Sequence, residues 1–176
     1  EMICCGWRGA TFGKRIAVDD KTGQAVALVD ADEKIQTTKH VFTLKTRDAS
    51  HPIMQGLPAE WLHATDELYG RMRGSADHMH VLSSSFSKPE FGGTDMHEPM
   101  VWYAPFGKGR VVTTSMGHMW TGDANFDALH CVGFQTILAR SAEWAATDKV
   151  TLAVPEGFPT LDKTSVIEPA KVNWKK

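Results

Sequence analysis

The chain has 176 residues, of which 42% are hydrophobic and 23% are charged. These proportions are typical of a globular protein with one core-forming domain, and the longest apolar runs are too short to span a membrane. The formal net charge of −2 disfavours binding to nucleic acid or to an anionic membrane surface, because both require an excess of Lys and Arg.

The first half of the chain predicts short elements separated by turns. Residues 2–12 are apolar and punctuated by glycine, which is typical of a helix end followed by a turn. Residues 25–29 and 41–46 have the composition of strands, and so do residues 78–84, which precede a polar segment that we interpret as a loop over 85–97. Residues 65–69, TDELY, fit either a helix or a strand edge that carries two carboxylates.

Residues 98–120 predict two strands joined by a tight turn. Pro99 is placed at the start of the first strand, where its missing N–H group does least harm. Phe106-Gly107-Lys108-Gly109 is typical of a tight reversal, and the β-branched residues 110–114 form the second strand. The pair Gly117-His118 follows directly, so an imidazole is left at the carboxyl end of a strand.

The last part of the chain predicts one helix and a tail. A helix is expected over residues 123–147, with Asp123 or Asn125 as its N-cap, because apolar residues recur there at helical spacing. Residues 149–176 contain several prolines and show little periodicity. We interpret them as an extended tail that packs over the surface of the domain.

The cysteines Cys4, Cys5 and Cys131 form no metal-binding or disulfide pattern. Adjacent cysteines rarely bridge each other, and no CxxC pair is present, so we expect three free or buried thiols. Free thiols favour a reducing compartment. The chain begins at Glu1 and shows no signal peptide, and we therefore expect it to be an internal part of a longer protein.

Three groups are candidates for converging on one site: His51, the carboxylates Asp66 and Glu67, and His118. A carboxylate beside an imidazole forms a general acid/base pair, and the same donors are able to bind a divalent metal. Each residue also has a structural interpretation: His51 orders its own turn, and Asp66 satisfies backbone donors. Aromatic residues near these segments pack in the core or act as platforms for a sugar ring.

Four motifs resemble those of the ThuA-like (trehalose utilisation) family, and they occur in the family's order. They are DASHPIMQGLP, TDELY, EPMVWYAPFGKGRVVTTSMGH and a WAA at a helix end, and the resemblance spans residues 6–146. The resemblance implies an α/β fold: a flavodoxin-like, class I glutamine amidotransferase-like three-layer sandwich that lacks its N-terminal half here. It also implies a partial domain over 1–148, followed by the tail over 149–176.

The resemblance further implies a carbohydrate-metabolism domain that processes a sugar or keto-sugar of the trehalose or 3-keto-disaccharide type by acid/base chemistry. The predicted catalytic residues are His118, Glu67 and Asp66; the predicted substrate contacts are His51, Tyr69, Glu98 and Trp120. No cofactor is predicted, and a divalent metal is the alternative. The expected partners are a carbohydrate or small-molecule substrate, and an oligomer or an oxidoreductase.

Three readings therefore stay open: an enzyme, a non-catalytic sugar-binding or accessory module, and a structural fragment of a larger assembly. Nucleophilic glutaminase chemistry is not predicted, since neither Cys4 nor Cys5 lies in the strand–turn–helix context that a nucleophile elbow needs. The compartment is left open between the bacterial cytoplasm and export, because relatives with similar tails are often exported.

Overall fold

The structure is a computed structural model, and it describes residues 13–28 and 36–174. Within these residues eight strands form one sheet: β1 (Lys14–Val18), β2 (Ala25–Leu28), β3 (Gln36–Thr46), β4 (Glu60–Gly70), β5 (Arg73–Gly74), β6 (His80–Ser87), β7 (Met96–Phe106) and β8 (Gly109–Thr114). Two helices follow, α1 (Asp127–His130) and α2 (Val132–Thr147), and 3₁₀ turns lie at Pro89–Phe91 and Pro169–Lys171. No helix of the described segments is long and apolar enough to cross a membrane.

The sheet is antiparallel, and the predicted flavodoxin-like three-layer sandwich is wrong. The strand order is β2-β1-β7-β6-β3-β4, with β5 added to β1 and β8 added to β7, and the described pairs all run antiparallel. The connections explain this outcome. Two residues separate β7 from β8, whereas a parallel pair needs a crossover of a dozen residues or more.

Several predicted elements are confirmed, with shifted ends. The strands predicted over 25–29, 41–46 and 78–84 are present, and the hairpin pairs β7 with β8 from Val101↔Thr114 to Phe106↔Gly109. Residues 65–69 belong to a strand, not a helix. The predicted loop over 85–97 is wrong at both ends, because β6 continues to Ser87 and β7 already begins at Met96.

The predicted helix over 123–147 is divided in two. Cys131 has extended backbone angles of φ −61° and ψ 117° and separates α1 from α2. At this point the tail pairs with the chain: Cys131 forms an isolated bridge with Val166, and Val132 N–H donates to the Ser165 carbonyl at 2.9 Å. Neither predicted cap is the observed N-cap, which is Phe126, although Asn125 accepts a hydrogen bond from the Asp127 N–H at 2.7 Å.

The two faces of the sheet carry separate apolar clusters. Val81 and Trp102 belong to one cluster, while their chain neighbours Leu82 and Val101 belong to the other, as alternation along a strand requires. The larger cluster is covered by α2 through Phe134, Ile137 and Trp144, together with partly buried tail residues. Cys131 is a buried free thiol in this cluster. The predictions for residues 2–12, Cys4 and Cys5 fall outside the described residues.

Candidate functional site

A bulge in the edge strand β4 brings the polar residues of the site together. His40 pairs with Asp66 and Phe42 pairs with His63, so one residue of β3 lies opposite two residues, 64 and 65, of β4. Residues i and i+3 of a regular strand face opposite sides of the sheet, and the extra residue restores them to the same side. His63 and Asp66 therefore both point into the larger core, where each is about 0–1% exposed.

The Asp66 carboxylate is saturated by hydrogen-bond donors. Its Oδ1 accepts from the backbone N–H groups of Glu67 at 2.7 Å and His118 at 3.1 Å. Its Oδ2 accepts from the Gly117 N–H at 2.6 Å and lies 2.8 Å from Nε2 of His63. Four partners match the four acceptor positions of a carboxylate. Asp66 thus ties the Gly117–His118 turn to strand β4.

Gly117 is required in this turn for two reasons. Its φ is +86°, a conformation that residues with a Cβ rarely adopt. In addition, a Cβ atom at this position would lie 2.5 Å from Cζ of Phe134, which belongs to α2. The close approach of helix and turn places the next residue, His118, at the edge of β4. His118 follows the carboxyl end of β8, as the sequence predicted, although β8 pairs antiparallel with β7.

The imidazole of His118 contacts the carboxylate of Glu67. Its Nδ1 lies 2.9 Å from Oε2 of Glu67, and the two side chains are 20% and 15% exposed, respectively. A carboxylate on Nδ1 orients the ring and favours the tautomer with the proton on Nδ1. Nε2 is hydrogen-bonded to none of the described residues, so it is the nitrogen left for an incoming group.

Two aromatic residues flank this pair. The Tyr69 hydroxyl lies 3.3 Å from Nδ1 of His118, and the indole Nε1 of Trp120 donates to Oε1 of Glu67 at 3.3 Å. The ring centroids of Trp120 and His118 are 5.1 Å apart. Trp120 is 56% exposed, whereas Tyr69 is buried. Three of the predicted residues, Glu67, Tyr69 and Trp120, therefore contact the imidazole of a fourth, His118.

The other two predicted substrate contacts, Glu98 and His51, make their hydrogen bonds and ring contacts with other described residues. Glu98 is fully buried in β7, where its Oε1 accepts from Thr94 Oγ1 at 2.7 Å and from Arg71 N at 3.2 Å and lies 3.3 Å from Arg15 Nη2. His51 packs against Tyr103 and Trp144 with ring centroids 4.9 and 4.6 Å away. The roles of these two residues in substrate binding stay predictions.

Comparison with known proteins covers the part of the chain that contains this site. The family model described as ThuA, trehalose utilisation, matches residues 6–145. The chain belongs to the ThuA family. It also matches the crystal structure of a ThuA-like protein from Parabacteroides merdae ATCC 43184 with a TM-score of 0.84 and 38% identity, over 92% of this chain. The match covers 58% of that protein, so the chain spans little more than half of its length. A search of the curated proteins found no significant match.

Sequence patterns did not indicate the contacts that two buried residues of this ThuA chain, His63 and Cys131, make. His63 contacts Asp66, and the Cys131 thiol interacts with the same imidazole. Burial by itself lowers the pKa of His63, but the contacts with Asp66 and Cys131 raise it to about 9. Burial by itself raises the pKa of the Cys131 thiol, but the interaction with His63 outweighs burial and lowers it. The spacing of His63 and Asp66 carries no signal in a regular strand, because only the bulge places them on one side.

The ThuA site, as described, does not gather a full set of metal ligands. Among the described residues no group of three or more His, Cys, Asp or Glu side chains is close enough to hold an ion. Glu67 and His118 supply two such donors. The divalent metal that the sequence suggested stays a prediction.

Proposed function

We propose that this chain carries the acid/base pair of a ThuA-family protein that processes a sugar or a keto-sugar of the trehalose or 3-keto-disaccharide type. The observation that carries the proposal is the contact between Nδ1 of His118 and Oε2 of Glu67 at 2.9 Å, beside an exposed tryptophan. Because the chain spans 58% of its structural relative, the activity belongs to the whole protein, to which this chain contributes the pair.

His118 is the proposed base. Its Nε2 takes the proton from the carbon next to a sugar ketone, and the electron pair of that C–H bond moves into the enolate. Glu67 stabilises the imidazolium that forms, as a carboxylate on Nδ1 does in other acid/base pairs. His118 then returns the proton. In an isomerisation the proton goes to the former carbonyl carbon, while the proton of the adjacent hydroxyl moves to the enolate oxygen; in an elimination it goes to the leaving oxygen, which takes the electron pair of its broken C–O bond as the enolate becomes an unsaturated ketone.

Trp120 and Tyr69 are the proposed substrate contacts. The Trp120 indole N–H is held by Glu67, which orients an exposed ring beside the reactive imidazole. Aromatic faces of this kind suit the apolar C–H face of a sugar ring. Asp66, by contrast, holds backbone groups with both carboxylate oxygens. We therefore assign the proton chemistry to Glu67 and His118, and a positioning role to Asp66.

The test is turnover of a 3-keto-disaccharide by the full-length protein. His118→Ala and Glu67→Gln are each expected to lower kcat by roughly 10²- to 10⁴-fold, the usual range for loss of a general acid or base. The control is His78→Ala, which removes an exposed imidazole outside the site. Unchanged turnover in folded His118→Ala protein would reject the assignment.

The second candidate function is a non-catalytic sugar-binding or accessory module. The observation in its favour is the exposed Trp120 ring, whose orientation is set by a hydrogen bond from its N–H to Glu67. Calorimetry with keto and non-keto sugars separates the two functions when it is run beside the turnover assay. Binding that needs Trp120 without any turnover supports the module; turnover that needs His118 supports the enzyme.

A further inference from the structure

We propose that His63 is a positioning residue for the Glu67–His118 pair, and that it acts through Asp66 on the backbone of the Gly117–His118 turn. The proposal rests on the function proposed for His118. It assigns a role to a residue that contacts neither the reactive imidazole nor the exposed tryptophan. The path has two links: His63 to Asp66, then Asp66 to the backbone of both Glu67 and His118.

The first link is enclosed in apolar surroundings. His63 is 0% exposed, and its ring centroid lies 5.1 Å from that of Phe42 and 6.4 Å from those of Trp61 and Phe134. A polar ring in such a place is unfavourable unless it is hydrogen-bonded. The bond that it makes is the 2.8 Å contact between Nε2 and Oδ2 of Asp66.

The second link positions the backbone of the site, because Asp66 is hydrogen-bonded to it. Asp66 Oδ1 accepts from the N–H groups of both Glu67 and His118, so one atom joins the backbones of the two proposed reacting residues. Oδ2 holds Gly117 and His63 in the same way. If the donor from His63 is removed, the buried carboxylate loses one of its four partners, and its Oδ2 keeps only the hydrogen bond from the Gly117 N–H.

The charge of His63 suits this role. The titratable groups that face it are Asp66 from β4 and Cys131 from the junction of α1 and α2. Burial favours the neutral ring, yet Asp66 and Cys131 outweigh it and hold the pKa of His63 at about 9. A protonated imidazole is a charge-assisted donor to a carboxylate, and such hydrogen bonds are shorter and stronger than neutral ones.

The experiment compares His63→Leu with His63→Gln in the full-length protein. Leucine removes the donor, whereas glutamine places an N–H group near the position of Nε2. Ile137→Val is the matched control, because it trims a buried side chain of the same core that makes no side-chain hydrogen bond. The first readout is amide hydrogen exchange at Gly117 and His118, compared with Val101 in the core strand β7.

We expect His63→Leu to lose at least tenfold more protection at Gly117 and His118 than at Val101, and His63→Gln to restore most of it. In the turnover assay, kcat should fall about tenfold or more in His63→Leu with KM little changed. An equal loss of protection at all three amides, or the same loss in Ile137→Val, would overturn the proposal.

A second measurement covers the case in which His63→Leu does not fold. In the unmodified protein, imidazole nitrogen spectra should show a proton on Nε2 of His63, the nitrogen that faces Asp66, and an Nε2 without a proton would also overturn the proposal. If the unmodified protein shows no turnover, the proposed function fails, while the exchange data still decide the role of His63.

Discussion

Asp66 and Glu67 are neighbours in the chain, and their different environments separate their roles. Successive side chains of a strand point to opposite faces, so Asp66 enters the core and Glu67 faces the partly exposed imidazole of His118. In the motif TDELY, Asp66 therefore positions the backbone, and Glu67 takes part in the proposed proton transfer.

Gly117 offers a prediction at the same scale. Gly117→Ala is expected to destabilise the protein by about 2–5 kcal/mol, because a positive φ costs about 1–2 kcal/mol and overpacking against Phe134 adds about 1–3 kcal/mol. The measurement is urea denaturation, with the free energy of unfolding compared between the two proteins.

The control for this change is Gly122→Ala. Gly122 has a similar φ of +90°, but a Cβ there would meet nothing within 4 Å. It should therefore show only the backbone cost of about 1–2 kcal/mol. Equal losses in the two variants would mean that contact with Phe134 does not constrain the turn.

At the scale of elements, the site depends on how closely α2 approaches the sheet. Gly133 lies in the first turn of α2, directly over Trp61 of β4, and a Cβ there would come within 2.5 Å of Cη2 of that ring. Trp61 is fully buried, so core residues surround its ring. Because Gly133 has no Cβ, α2 lies closer to β4 than a larger residue at this position would allow.

We therefore expect Gly133→Ala to be destabilising, against its helix propensity. Alanine gains about 1 kcal/mol over glycine inside a helix, but overpacking a rigid core costs about 1–3 kcal/mol, which gives a net loss of up to about 2 kcal/mol. The midpoint of urea denaturation measures this change.

Gly109→Ala is the comparison for Gly133. The nearest atom to its Cβ would be the Phe106 carbonyl oxygen at 3.4 Å, an ordinary contact, so its stability should change by less than about 0.5 kcal/mol. A stabilised Gly133→Ala protein would show that the helix shifts at little cost and that the close packing is not required.

At the scale of the whole molecule, Glu98 links distant parts of the sheet and should make stability depend on pH. Burial raises the pKa of Glu98 to about 7, against the opposing effects of Thr94, Arg15 and the Arg71 N–H. Between pH 4.5 and 7 the folded state therefore binds a proton that the unfolded state has released. The free energy of unfolding contributed by this group falls as pH rises through that window.

Glu98→Gln tests the predicted fall in the free energy of unfolding with rising pH. For one group the loss is at most about 1.4 kcal/mol per pH unit, so the variant should gain about 1–3 kcal/mol relative to the unmodified protein between pH 5 and 7. Urea denaturation at pH 5, 6 and 7 gives the values. Glu90→Gln, an exposed carboxylate on the 3₁₀ turn, should leave the profile unchanged. A constant difference between the Glu98 variant and the unmodified protein across this range would contradict the prediction.

Local patterns predicted much of the secondary structure, and the resemblance predicted the family. The hairpin of β7 and β8 follows from β-branched residues around a two-residue turn that contains glycine, which are properties of adjacent residues. The helix was predicted as one piece because its break at Cys131 depends on pairing with Val166, some 35 residues away. Such pairing leaves no periodic signal in the helix itself.

The sequence by itself determined the family, the turn that carries His118 and the polar residues available beside it, because these depend on motifs of neighbouring residues. Only the tertiary structure decided that the sheet is antiparallel, that Glu67 and not Asp66 contacts the imidazole of His118, and that Glu98 and His51 bond and pack with other residues. The physical reason is the bulge in β4 together with the close packing of α2: both change which face a side chain occupies, and both are set by contacts between segments far apart in the chain.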